Sequence, residues 1–433
     1  MKTLILLFLV CFAGTQDLQA QAKDTSWLRQ NTWAFENFDD TNVSWNIFRQ
    51  TFIGVAPSPS GDFDLVFYND LYKNTLFNPG NCFGMDVLEM LIMEDGGYAG
   101  YCHPPGMYAI LPDTVRGGPL DPALHQAINI AHGNQITEGF ISFVIDVFST
   151  DKFRDGNYVF DMVNQYLAQG DQPVISIAPT ISPSGGGHVL VPYYEDTLDA
   201  NTRRIFCYNP NRSIFTSPYN PDHLDYTNGT NFITIKSDGT WSYDFNYPPK
   251  PLWTGNPSSG GLIMAIPLSV AGRKDRLPQS LFADATKAIS TIFIFGKDVR
   301  VRQITNLRNG RRFFNAQGTD PEQDPRKRFK TVAPFIPMGG SLHPETGGPA
   351  AVYFVRGGDP FQVAVQAKGK YKIKIIADGQ YMEREGTGDG DVRVFRAPTR
   401  RRQQTAPRLR PEARPVHAGT SPFPVETSRA FRD

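Results

Sequence analysis

The feature that most constrains this chain is a change of hydrophobic period near residue 170. Before it, apolar residues recur at helical spacing, as with Met85, Leu88, Leu91 and Ile92. "DPALHQAINIAH" (121–132), "ITEGFISFVIDVF" (136–148) and "NYVFDMVNQYLAQG" (157–170) continue that pattern. Asp121 and Pro122 offer a cap and a first turn, and Gly170 a stop. After residue 170 the period falls to two. "PVISIA" (173–178), "HVLVPYY" (188–194) and "RRIFCYN" (203–209) read as strands. "NFITIKSDGTWSYDF" (231–245) reads as a hairpin turning at Ser237, Asp238 and Gly239. A helical half followed by an antiparallel β half is an α+β fold. Residues 24–75 are aromatic and polar, with short strand-like pieces such as "SWNIFRQTF".

A second β block is expected over 285–398, built from "STIFIFG", "VRVRQI", "AVYFVRGG", "FQVAVQA", "YKIKIIADG" and "DVRVFRA". It reads as a small β-sandwich with its own core, acting as an accessory module that supplies no catalytic residue. The chain ends are different in kind. Lys2 precedes the apolar run "LILLFLVCFA" (4–13) and small residues at Ala20 and Ala22, the pattern of a cleaved signal peptide over 1–22. The run is too short to span a bilayer, and no later segment is apolar enough, so a secreted or periplasmic protein without a transmembrane segment is expected. Residues 399–433 are rich in Arg and Pro, lack periodicity and read as a disordered basic tail. From 400 onward, eight Arg against three acids leave a charge of +5, so the formal net charge of zero leaves −5 for the rest. That balance gives no reason to expect nucleic acid as a partner.

Beyond the leader, three cysteines remain: Cys82, Cys102 and Cys207. An odd number in an exported chain leaves at least one thiol outside an internal disulfide. If Cys102 pairs with Cys207, Cys82 is the thiol left over. Cys82 follows a Pro-Gly turn in "NPGNCFGMDVLEMLIM" (78–93) and opens the first of the regular helices. A helix start favours a thiolate through its unpaired N–H groups and dipole. His188 stands at the start of a strand after three glycines, in "SGGGHVLVPYY". Asn209 ends the next strand, where an amide oxygen can fix the tautomer of that histidine. A thiol at a helix start, an imidazole and an amide form a nucleophile, a base and an orienter.

Each has a plainer reading: a buried thiol, a strand histidine, a turn residue in "YNPN". Asp196 is the alternative orienter, and Asn211 reads as a turn residue alone. His103, His125 and His132 lack partners at metal-ligand spacing and read as surface or helix residues. "SGGGH" and "SSGG" lack the Lys-Ser/Thr of a phosphate loop.

The order of Cys-helix, helices, Gly-His-strand and strand-Asn resembles the papain-like cysteine peptidases. More narrowly, "NCFGM", "GHVLVPY" and the strand end "YNPN" are similar to bacterial exported proteins of that kind, over residues 70–245. The resemblance implies a papain-like catalytic domain over 23–275 and a Cys82, His188 and Asn209 triad that cleaves a peptide or protein substrate. It implies no cofactor and no metal. The family places an oxyanion Gln about six residues before the nucleophile; here that neighbourhood is Leu76 and Phe77. Asn78, Asn81 and Gln135 are the candidates for the missing donor. Two rivals stay open: a papain-like binding or surface protein without the reaction, and an acyl transferase or amidase acting on a non-peptide amide.

Overall fold

The structure is a computed structural model. It describes residues 25–398 apart from 40–42, 60–61, 77–79, 103–120, 183–185, 215–230, 246–251, 279–287, 314–329, 341 and 343. The proposed leader and the basic tail lie outside the described residues, which belong to one compact unit. The fold is mixed helix and sheet, as the change of period requires.

The helices come first: α1 (Thr25–Asn31), α2 (Trp45–Thr51), α3 (Asp62–Val66, continued as a π-helix over Phe67–Leu76), α4 (Cys82–Asp95), α5 (Pro122–Gly133), α6 (Glu138–Thr150) and α7 (Gly156–Ala168). A short α8 (Leu268–Ala271) follows later. Asp121 caps α5 with Pro122 in its first turn, Thr137 caps α6, and Gly170 ends α7 at φ +72°. "SWNIFRQTF" is helix rather than strand. Ser44 accepts the N–H of Ile47 as its cap, and that local bond outweighs the strand preference of Trp, Ile and Phe. Phe48 then packs edge-on to Tyr68 and Tyr72.

Helix α4 belongs to the largest of the apolar cores. It is buried nearly all round, and so carries apolar side chains on every face. Its Gly84 lets α5 approach to backbone contact. A Cβ there would lie 2.3 Å from the carbonyl oxygen of Ile128 and 2.7 Å from His132 Cβ.

A short ribbon, β1 (Gly97–Tyr98) with β2 (Tyr101–Cys102), follows α4. The first large sheet has the strand order β10-β3-β4-β5-β6-β7-β8-β9. Its members are β3 (Pro173–Ala178), β4 (His188–Asp199), β5 (Thr202–Tyr208), β6 (Phe232–Lys236), β7 (Trp241–Tyr243), β8 (Trp253–Asn256), β9 (Ser259–Gly260) and β10 (Leu262–Pro267). All its pairings are antiparallel. The expected hairpin is present, with Gly239 at φ +83° donating its N–H to Lys236. Alternation sorts the faces. Val174, Val189, Val191 and Met264 join the core of α4, while Ile175, Leu190, Ile205 and Ile263 pack with Val159 and Val163 of α7.

The second sheet takes its strands from the later block: β11 (Ile289–Phe295), β12 (Asp298–Asn306), β13 (Arg312–Phe313), β14 (Val332–Pro334), β15 (Ala351–Arg356), β16 (Phe361–Ala377) and β17 (Gln380–Arg396). "FQVAVQA" and "YKIKIIA" are one strand rather than two. The exposed residues between them, with Gly369 at φ +81°, are absorbed by a bulge between Gln366 and Lys368. The first half of β16 pairs with β12 and its second half with β11, so the sheet curls over a core of its own. Its outer side faces the helices. Phe293 packs edge-on to Phe67, Lys374 pairs with Asp70 at 2.6 Å, and Arg356 pairs with Asp146 at 2.5 Å. Ile289, Val352 and Phe354 share one core with α4 and α6.

Candidate active site

Cys82 is the first residue of α4 and is completely buried. The helix start is built by distant groups. The N–H of Asn81 donates to Asn37 Oδ1 at 2.6 Å and to the carbonyl of Phe38 at 3.1 Å. The N–H of Gly84, which has no partner within the helix, donates to His132 Nδ1 at 3.3 Å. His132 Nε2 lies 2.7 Å from the carbonyl of Leu76, so its proton sits on Nε2 and Nδ1 accepts. His132 is therefore a buried cap of the helix that carries Cys82. Asn81 occupies the N-cap position without making a side-chain cap. Both of its carboxamide atoms are buried and unpartnered among the described residues.

The sheet holds the second group. His188 is the first residue of β4, opposite Ile177 on β3. Its Nε2 lies 2.8 Å from Asn209 Oδ1, just past the end of β5. The amide is oriented from both sides. Asn209 Oδ1 also accepts the N–H of Asn211 at 3.0 Å, and its Nδ2 donates to Tyr243 Oη at 2.9 Å. Tyr243 donates to Asn231 Oδ1 at 2.7 Å, and Asn231 donates to the carbonyl of Cys207 at 2.7 Å. With its oxygen so fixed, Asn209 accepts the Nε2 proton of His188 and leaves Nδ1 as the basic nitrogen. Phe245 packs on the His188 ring at 5.4 Å and continues through Trp253 as an aromatic wall.

Two connections join these sides. The turn at Asn209, Pro210 and Asn211 grips Asn37: Asn37 donates its N–H to Pro210 at 2.7 Å and its Nδ2 to Asn211 Oδ1 at 2.8 Å. Asn37 in turn holds Asn81. Asn211 is thus a tie between the His188 side and the Cys82 side as well as a turn residue. The second connection is residues 337–339, between β14 and β15. Gly187 donates its N–H to the carbonyl of Pro337 at 2.7 Å and accepts the N–H of Gly339 at 3.0 Å. Gly339 also lies against Cys82: a Cβ built on it would be 2.8 Å from Sγ and 3.1 Å from the Cys82 nitrogen. The main chain of the later β block runs between Cys82 and the residue before His188.

Of the expected oxyanion donors, Asn78 lies outside the described residues. Asn81 is adjacent to Cys82 with its amide unspent. Gln135 is occupied: its Oε1 accepts the N–H of Met338 at 2.9 Å, and its Nε2 donates to the carbonyl of His132 at 3.0 Å and that of Met338 at 3.4 Å. Asp196 is not an orienter here, because Arg204 binds both of its carboxylate oxygens further along β4. The expected bridge between Cys102 and Cys207 is absent. Cys102 is exposed, and Cys207 is buried on β5, where it packs into the core between the sheet and α7. His103 lies outside the described residues, and His125 meets Phe38 edge-on. Among the described residues, no group of three or more His, Cys, Asp or Glu is placed to hold a metal ion, and no helix is long and apolar enough to cross a membrane.

One feature of α4 has no counterpart in its apolar spacing. Asp86 and Glu89, one turn apart, are both fully buried with their carboxylate oxygens outside hydrogen-bonding geometry among the described residues. Burial pushes both carboxyls well above their ordinary range. The charge of Asp86 pushes Glu89 further, and the backbone of Trp33 offsets a little of it.

Comparison with protein-family models, curated proteins and solved structures finds no match to this chain.

Proposed function

We propose that this chain is an exported hydrolase of papain-like arrangement, a peptidase that cleaves amide bonds through Cys82, His188 and Asn209, with the later β block as its accessory part. The observation that carries this reading is the 2.8 Å bond between His188 Nε2 and Asn209 Oδ1. It leaves Nδ1 to take the proton of a thiol at a helix start, and the main chain of Gly339 touches both Cys82 and Gly187. In the reaction, Nδ1 removes the proton from Cys82, and Sγ adds to the substrate carbonyl carbon. The Cys82 N–H and the Asn81 amide receive the oxyanion. The tetrahedral adduct expels the amine, which takes the proton from His188, and a thioester remains. His188 then deprotonates water, the hydroxide adds to the thioester, and the acid leaves as the thiol is restored.

The test is labelling of the full chain with peptide electrophiles that react only with an activated thiol, together with release of dye from fluorogenic peptides. Labelling at Cys82 that disappears in His188→Ala supports the reading. No labelling and no dye release, even where Cys82 is accessible to small alkylating agents, overturns it. A second reading, a papain-like fold that binds without cutting, is favoured by one observation: Cys82 is completely buried beneath residue 339. An acyl transferase using the same three residues would be recognised by amide products when an amine acceptor is added.

A further inference from the structure

Residues 337–339 are held by main-chain bonds of the kind that hold a peptide, not by side-chain packing alone. Gly187 bonds the carbonyl of Pro337 through its N–H and the N–H of Gly339 through its carbonyl, as one strand bonds another in parallel. On the opposite side, the Gln135 carboxamide pairs with both main-chain groups of Met338, accepting its N–H and donating to its carbonyl. A side-chain amide used in this way reads peptide backbone without regard to the side chain it carries. The clasped strand ends with Gly339 against Cys82.

Glycine is required at that point for two reasons. Its φ is +94°, a conformation that side chains disfavour, and a Cβ would fall 2.7 Å from the carbonyl oxygen of Gly80 as well as 2.8 Å from Cys82 Sγ. Both obstacles are main chain or the thiol itself, so they do not swing aside.

We propose that residues 337–339 are an internal pseudosubstrate. They occupy the cleft that takes an extended peptide, and the cleft selects peptides with glycine opposite Cys82. This rests on the hydrolase reading for what happens to a bound peptide, but not for the occupancy itself. Three consequences follow: Cys82 is shielded until the segment lifts, Gly187 and Gln135 read the backbone of whatever replaces it, and a side chain at the glycine position is excluded.

The experiment is alkylation of the native full chain by iodoacetamide, with each cysteine followed by mass spectrometry. The chain carries its own controls, since Cys102 is exposed and Cys207 is buried in the sheet. In the unaltered protein Cys82 is expected to react at least about 10-fold more slowly than Cys102, because a covered thiol reacts only through local opening. Gly339→Val is expected to bring Cys82 to within a few-fold of Cys102 while Cys207 stays protected. Should that variant unfold, seen as reaction at Cys207, Gln135→Leu replaces it. That change loosens only the clasp and is expected to raise Cys82 reactivity several-fold.

A blocked peptide of sequence IPMGGS, added in excess to the opened variant, is expected to restore protection. IPMVGS is expected not to. Cys82 reacting as fast as Cys102 in the unaltered protein overturns the occupancy, as does Cys82 staying protected in both folded variants. Equal protection by the two peptides, or none by either, overturns the glycine selectivity. None of these outcomes depends on turnover. A site that opens as expected yet never cleaves would count against the hydrolase reading alone.

Discussion

The two sides of the site are built on opposite terms. On the sheet side, a continuous series of hydrogen bonds runs from His188 through Asn209, Tyr243 and Asn231 to the backbone of Cys207. On the helix side, Asn81, Asp86 and Glu89 are fully buried, and their side chains find no hydrogen-bond geometry among the described residues. A buried polar group without a partner costs about 1–3 kcal/mol, whereas a satisfied one contributes modestly. The sheet side is therefore a rigid frame and the helix side a place where stability has been given up. Of the three, only the Asn81 carboxamide carries N–H donors of the kind that a negative charge developing at the neighbouring thiol would need. Rigidity is what an imidazole needs if one tautomer is to be held.

The largest effect expected from breaking this contrast is on the helix side. Cys82→Ser should lower peptide hydrolysis by at least about 10³-fold. Its melting temperature should be unchanged, because serine is well tolerated at a helix start. Next is the frame. Asn209→Ala should cost about 10–100-fold in kcat, since it orients His188 without reacting, and should displace the pH profile by loosening the tautomer. Total loss in both variants, with normal melting, would show that the two sides do not divide the work as drawn.

A smaller effect concerns stability alone. Replacing Glu89 by Leu should stabilise the protein by about 1–2 kcal/mol at pH 8 by removing a buried carboxyl, a rise of about 2–8 °C on thermal melting. The sign with pH is fixed by the direction of the shifts. Both carboxyls are raised in the folded state, so the folded chain binds more protons than the unfolded one once pH exceeds the ordinary carboxylate range. Stability contributed at low pH is then lost as pH rises toward the raised values. Glu89→Leu should flatten that decline, and parallel melting curves of the two proteins between pH 5 and 8 would refute it. The smallest effect is expected from Tyr243→Phe, which removes one link of the frame at about 1 kcal/mol. It should lower activity only a few-fold, measured as kcat at constant KM.

These contrasts were unevenly legible in the sequence. Periodicity carries the helices from α4 to α7 and strands β3 to β7 of the first sheet, because burial on one face repeats locally; β8 to β10 are not read from it. The same logic placed Cys82, His188 and Asn209 at element ends, where function collects. It failed at α2, where one serine cap overrode three strand-favouring residues. It had no means of finding Asn37, Tyr243 or Asn231, whose roles are amide and hydroxyl bonds across the fold with no period to betray them. His132 was visible only as a helix residue, since nothing local tells that Gly84 brings the helices close enough for an imidazole to cap its neighbour. Nothing local tells that Asp86 and Glu89, which fall between the apolar positions of α4, are buried. Gly339 was one glycine among 39.

The contact between Gly339 and Cys82 spans 257 positions of the chain (339 − 82). At synthesis rates of about 5–20 residues per second, roughly 10–50 s separate the emergence of the two. Until residues 337–339 have emerged, the thiol lacks the main chain that now lies against it. A ribosome-bound intermediate ending before β14, or a product clipped there by another protease, would carry Cys82 without the residues that now lie against it. Chain length itself then sets when this cysteine is open to chemistry.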